Sequence, residues 1–163
     1  MVKPIWKYSP NFRETSGREV TCVVVHATAT AKSASPLEWL CTPKSMVSAH
    51  YVIDTDGAIY QLVNEKDIAW HAGVSEWKGR DGVNSFSIGV ELVNTNDYKM
   101  PYSKQQCDAC LELVRDICAR HKIKTEDILA HYDVAPGRKN DPAGFDMPWL
   151  RKMVDCKEGP CPT

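Results

Sequence analysis

The chain has no long hydrophobic run. Nowhere in its 163 residues do about 18 apolar residues stand together, the length that a membrane-spanning helix needs. Its N-terminal stretch, Met1-Val2-Lys3-Pro4-Ile5-Trp6-Lys7-Tyr8-Ser9-Pro10, lacks the apolar core of a secretory signal. Together these absences predict a soluble, cytoplasmic protein without membrane insertion. There is no excess of either charge: 20 Lys and Arg stand against 21 Asp and Glu, a formal net charge of -1. That excludes a general nucleic-acid binder and leaves no polybasic membrane anchor. No internal repeat, low-complexity segment or linker divides the chain. No H-E-x-x-H pair is present, so any metal site must be assembled from scattered residues. The cysteines number seven, an odd count that cannot all pair within one chain.

What is present fits one globular domain spanning 1–163, long enough to bury a core without staples. Residues 1 to 19 read as an irregular lead-in, punctuated by Pro4, Pro10 and Gly17. Residues 20 to 26 form a strand with apolar residues on both faces, as a central strand requires. Ser35-Pro36-Leu37-Glu38 opens a short helix that runs to about Cys41. Tyr51-Val52-Ile53 and Ala58 to Val63 flank Asp54-Thr55-Asp56-Gly57, a hairpin signature. Asn64 to Ser85 reads as a long loop with Trp70, His71 and Trp77. Such a loop serves as a binding rim, or its tryptophans anchor it to the core.

Phe86 to Val93 is a second strand. Ile88, Val90 and Leu92 share one side, and Gly89, Glu91 and Val93 the other. Ser103-Lys104-Gln105-Gln106 is a capping box that opens a helix to residue 121. Cys107, Cys110, Leu111, Val114, Ile117 and Cys118 mark its core face. That placement reads the Cys107–Cys110 pair as small buried hydrophobes, in preference to metal ligands or a redox pair. Ile123 to Ala130 leads into a third strand, and Pro148 to Val154 forms a closing helix. Cys156 and Cys161 could pair if oxidised. Strands with intervening helices predict an α/β domain built on a mixed sheet.

Two apolar runs each end in a histidine: Val20 to Val25 in His26, and Ile128-Leu129-Ala130 in His131. After the turn Pro136-Gly137, Asp141 stands before Pro142. His26, His131 and Asp141 thus form a candidate metal triad, and three protein ligands leave a position open for chemistry. Asp133 competes with Asp141 by its closeness to His131. Glu91 is a carboxylate inside an apolar strand, either salt-bridged or functional. As a base it would move protons at the open position. Lys139 would stabilise an oxyanion. These are the parts of a zinc hydrolase of an amide or ester.

Five ordered blocks carry a more specific likeness. Val23 to His26, Val47-Ser48-Ala49-His50-Tyr51, Ala69-Trp70-His71-Ala72-Gly73-Val74-Ser75, Asn84 to Glu91 and His131 to Asp141 resemble, in order and spacing, the type 2 N-acetylmuramoyl-L-alanine amidases. That family includes recycling amidases, phage lysozyme-type amidases and animal peptidoglycan recognition proteins. The likeness covers about residues 8 to 152. It implies a zinc amidase (peptidoglycan recognition protein-like) fold, with a central mixed β-sheet flanked by helices and the metal at the base of an open groove. It implies Zn2+ on His26, His131 and Asp141, with Glu91 and Lys139 catalytic. It implies substrate contacts from His50, Trp70, His71 and Asn84, His71 being a cleft-wall residue and not a ligand. The implied reaction is cleavage between the lactyl group of N-acetylmuramic acid and L-alanine in peptidoglycan or muropeptides, by a monomer. An endolysin acting on the wall after release, a recycling amidase on cytosolic muropeptides, and a non-catalytic peptidoglycan-binding module are the readings to separate. The chain departs from the family's usual Asp-Pro-Gly at Asp141-Pro142-Ala143, and again over Phe145 to Trp149.

Overall fold

The structure is a computed structural model that describes residues 2–30 and 34–156. Its centre is β3 (Cys22–Ala27), buried along its whole length. The Val23-Val24-Val25 run explains this, since branched side chains suit a strand covered on both faces. On one side β3 pairs in parallel with β9 (Ser87–Leu92), and on the other with β10 (Ile128–Ala130). Beyond β9 lies β4 (Tyr51–Ile53), also parallel, which turns through Asp54 to Gly57 into antiparallel β5 (Ile59–Gln61). Gly57 has φ +86°, and a Cβ there would meet the Gln105 carbonyl oxygen at 2.9 Å, so the turn needs glycine. With β1 (Ile5–Trp6) at the far edge, the full order is β1-β5-β4-β9-β3-β10, a mixed sheet.

One face of the sheet is covered by α2 (Lys104–His121) and α4 (Met147–Asp155). Val23, Val25, Ile88, Val90, Leu92 and Ile128 pack there against Cys110, Val114, Ile117, Met147 and Leu150. The expected alternation along β9 is therefore observed. The other face carries two separate apolar clusters. One joins Cys22, Val24 and Leu129 to Val83, Phe86 and Val134. The second joins Val52 and Val93 to Leu37 and Leu40 of α1 (Ala34–Leu40). The seam between these clusters is polar, and the site lies in it.

Several local expectations are corrected. The lead-in is not wholly irregular: β1 (Ile5–Trp6) extends the sheet beside β5, and β2 (Phe12–Arg13) pairs with β6 (Ile68–Ala69). Two-residue ladders carry too little periodicity to be read from a sequence. The loop from Asn64 also contains a hairpin of β7 (Glu76–Trp77) and β8 (Arg80–Asp81). Its tryptophans divide the two roles. Trp77 packs on the core and donates from Nε1 to Asp127 at 2.8 Å, whereas Trp70 lines the groove. The capping box is only half formed. Ser103 Oγ accepts from the Gln106 N–H at 3.0 Å, but the Gln106 amide turns inward and donates to the Ile53 and Val93 carbonyls. Cys110 and Cys118 are buried as expected, while Cys107 is half-buried; none of the three is in a disulfide. Cys161 lies outside the described residues. Among the described residues no helix is long and apolar enough to cross a membrane.

Candidate metal centre and groove

Strand register brings the site together. His26 of β3 is the direct partner of Glu91 on β9, and Val25 pairs with Ala130, the last residue of β10. His131 follows immediately, as the first residue of the one-turn helix α3 (His131–Val134). Three parallel strands therefore deliver Glu91, His26 and His131 to their C-terminal ends at one level, where open α/β sheets bind ligands. The chain then returns through Pro136-Gly137 to Asp141. His26, His131 and Asp141 are 1%, 3% and 7% exposed.

The donor atoms converge. His26 Nδ1 lies 2.9 Å from His131 Nδ1, and Asp141 Oδ2 lies 3.3 Å and 3.0 Å from them. His131 Nε2 sits 3.1 Å from the Ala72 carbonyl oxygen. A carbonyl only accepts, so Nε2 carries a proton, and in the neutral ring Nδ1 is then the atom whose lone pair a metal would take. Two imidazole nitrogens and one carboxylate, all within 4.8 Å, suit zinc at a three-ligand site. Burial alone would raise the Asp141 pKa, but the bonds to His131 and His26 outweigh it and hold the carboxyl well below the usual range. Asp133 is excluded from the cluster. Its Oδ2 accepts from the Ala130 N–H at 2.9 Å and pairs with Arg151 at 2.7 Å.

Glu91 faces the same space. Its Oε2 is buried and has no hydrogen-bond partner among the described residues. Burial, reinforced by the charge of Asp141 and opposed by Lys139, pushes the carboxyl up to about 8. Glu91 stands in no ion pair among the described residues, and a carboxyl shifted in this way is one that could carry a proton. Lys139 is exposed and lines the same groove, about 590 Å³ in volume. The groove lining combines apolar Trp39, Leu40, Val47 and Trp70 with polar Thr28, Asn96 and Asn140. That mix suits a ligand with both an apolar face and hydrogen-bonding groups.

The four expected substrate contacts separate. Trp70 and His71 line the groove. His50 does not: it is fully buried, with Nδ1 accepting from the Gly89 N–H at 3.0 Å and Nε2 3.1 Å from the Asp67 carbonyl oxygen. Burial pushes its pKa down to about 3, so the ring stays neutral and splices β4 to β9. Asn84 also lies off the groove. Its Oδ1 accepts from the His71 and Ala72 N–H groups at 3.1 and 2.8 Å, which holds the groove-wall segment in place. Through these bonds both residues support the groove wall. Arg138 was not singled out from the sequence, yet it lines the groove and donates to the Ala72 and Val74 carbonyls at 2.7 and 2.6 Å. Trp39 and Asn96 were missed as well, since each stands in a loop or helix whose sequence carries no metal-site pattern.

Gly89 shows how tightly the seam is filled. A Cβ there would lie 2.4 Å from His71 Cγ. Gly89→Ala is therefore expected to displace the His71 ring and lower stability by about 1–3 kcal/mol, the usual cost of overpacking. Urea unfolding of the metal-free protein measures it, and an unchanged midpoint would show that the ring has room to move.

Comparison with known proteins agrees with this geometry. The family model described as "N-acetylmuramoyl-L-alanine amidase" matches residues 16–144. The chain is 40% identical over 117 residues to N-acetylmuramoyl-L-alanine amidase AmiD of Escherichia coli, covering 63% of this chain and 42% of that protein. It is 40% identical over 112 residues to 1,6-anhydro-N-acetylmuramyl-L-alanine amidase AmpD of Haemophilus influenzae, covering 68% and 59%. The chain thus spans about half the length of these relatives. A solved complex of E. coli AmiD with anhydro-N-acetylmuramic acid-L-Ala-D-gamma-Glu-L-Lys superposes with a TM-score of 0.75 at 32% identity, covering 87% of this chain and 65% of that one. With the matched segment running from before β3 to beyond Asp141, the chain belongs to the N-acetylmuramoyl-L-alanine amidase family.

Proposed function

We propose that this protein is a zinc amidase that cleaves the bond between the lactyl group of N-acetylmuramic acid and L-alanine, with soluble anhydro-muropeptides as its preferred substrates. The observation that carries the reading is the convergence of His26, His131 and Asp141 at the floor of a groove, with Glu91 one strand away. His26, His131 and Asp141 would hold the ion, which when bound supplies Lewis-acid polarisation and makes water nucleophilic near neutral pH. Glu91 takes the proton of the attacking water and returns it to the departing amine of L-alanine. Lys139, a flexible cation at the groove edge, offsets the negative charge that develops on the carbonyl oxygen. Trp70, Trp39 and Val47 give the substrate an apolar wall, and Asn96 and Asn140 offer hydrogen bonds to its polar groups.

The preference for soluble substrates is supported by relatives near 40% identity whose names specify amidases of N-acetylmuramyl-L-alanine linkages, one of them in its 1,6-anhydro form. The test is product analysis by mass spectrometry after incubation with an anhydro-muropeptide and, separately, with intact sacculi. Release of the free stem peptide from the soluble substrate, faster than from sacculi, is expected. Faster cleavage of sacculi would assign a wall-degrading role. Binding of both without cleavage would mark a recognition module.

A further inference from the structure

We propose that His71 is a positioning residue that sets the tautomer and ring orientation of His26 for metal binding. The inference rests on the metal reading above and goes beyond it, because His71 is neither a ligand nor only a stretch of groove wall.

The argument starts from what each ring nitrogen meets. His26 must present an unprotonated Nδ1 to the cluster, so its proton belongs on Nε2. A metal-bound histidine ordinarily donates that proton to a carboxylate, a backbone carbonyl or water. His131 follows this pattern with the Ala72 carbonyl. His26 does not: its Nε2 lies 2.9 Å from His71 Nδ1. An imidazole nitrogen accepts in only one tautomer, so His71 must carry its own proton on Nε2. That atom lies 3.1 Å from Ser87 Oγ, which can accept it. The proton positions of two rings are thereby coupled and anchored on the first residue of β9. With His71 in the opposite tautomer, an N–H would face the N–H of His26. The contact would be relieved by moving the His26 proton to Nδ1, and the metal would lose that lone pair.

The surroundings hold His71 to this task. Its ring is seated over Gly89, where any side chain would collide with it. Its backbone N–H is tied to Asn84. The His26 and His71 rings meet edge-on, 5.0 Å apart at 77°. His71 is 9% exposed and His26 1%, so water has little room to stand in for the missing acceptor. Both nitrogens of His71 are engaged, and neither belongs to the converging donor set.

The experiment measures zinc affinity of the purified, metal-free chain by competition with a chromophoric chelator, without substrate. The parent, His71→Leu, His71→Asn and Ser87→Ala are compared, with circular dichroism confirming the fold and the visible spectrum of the cobalt(II) form reporting ligand geometry. His71→Leu fills the seat without an acceptor and is expected to weaken zinc binding by about 10- to 100-fold, the usual effect of losing such a partner, and to alter the cobalt bands. His71→Asn retains a polar acceptor near Nδ1 and is expected to recover most of the affinity. Ser87→Ala releases the far anchor and is expected to give a smaller loss in the same direction. A folded His71→Leu with parental zinc affinity and cobalt spectrum overturns the proposal. If that variant does not fold, parental affinity in Ser87→Ala overturns it instead. A parent that binds no zinc would refute the metal reading itself, an outcome distinct from a parent that binds and variants that bind equally well.

Discussion

Asp141→Ala is expected to lose zinc and, with it, all measurable amidase turnover. Asp141 supplies the only negative charge among the three converging groups, and its Oδ2 sits 3.0 Å and 3.3 Å from the two histidine nitrogens. Without it, two neutral imidazoles remain, too few ligands to retain zinc against dilution. Elemental analysis of the purified variant and product analysis on muropeptide read the two effects together. Asp133→Ala is the matched control. It removes the acceptor of the Ala130 N–H and the Arg151 pair, yet should retain zinc. Stoichiometric zinc and full turnover in Asp141→Ala would remove Asp141 from the ligand set.

Glu91→Gln separates metal binding from chemistry. The change keeps shape and hydrogen-bonding capacity but removes the proton-accepting carboxylate. Glu91 lies outside the donor cluster, so the variant should fold and retain zinc. Turnover should fall by about 10²- to 10⁴-fold, the usual worth of a general base. Burial and Asp141 push the Glu91 carboxyl up to about 8 in the metal-free protein. A bound divalent cation acts in the opposite direction and favours the ionised form that a base requires. Lys139→Ala should also lower turnover with the metal retained, since Lys139 is exposed at the groove and takes no part in the cluster. Parental cleavage by zinc-loaded Glu91→Gln would make Glu91 a structural carboxylate.

The convergence of the candidate ligands His26, His131 and Asp141 was legible in the sequence for a physical reason. His26 and His131 each follow a short run of buried, mostly branched residues, so strand period and strand end could both be read. Glu91 was legible because a carboxylate breaks an apolar alternation. Asp141 was favoured over Asp133 by the family resemblance and by its place before Pro142; the geometry now separates them by giving Asp133 other partners. What stayed hidden depends on pairing between distant segments. His50 stands one residue before β4 like any strand-flanking polar residue, and only the packing of β9 shows that it is sealed in. Gln106 sits at the third position of a capping box, and nothing local reveals that its amide turns to the sheet. The His26–His71–Ser87 chain of contacts spans two strands and a loop, and a lone serine at a strand start carries no signal at all.

The register that aligns the ligands also sets when they can meet. His26 and His131 are 105 residues apart along the chain, and His26 and Asp141 are 115 apart. Their convergence waits on the pairing of β10 with β3, a non-local contact of the slowest kind to form. His131 and Asp141 are only 10 residues apart, but His26 is remote from both, so an ion cannot gather the full set before the sheet has formed. Added metal would leave the refolding rate of this protein almost unchanged and act as a brake on its unfolding. Its contribution to lifetime would then be that of a clasp fastened after the sheet is built.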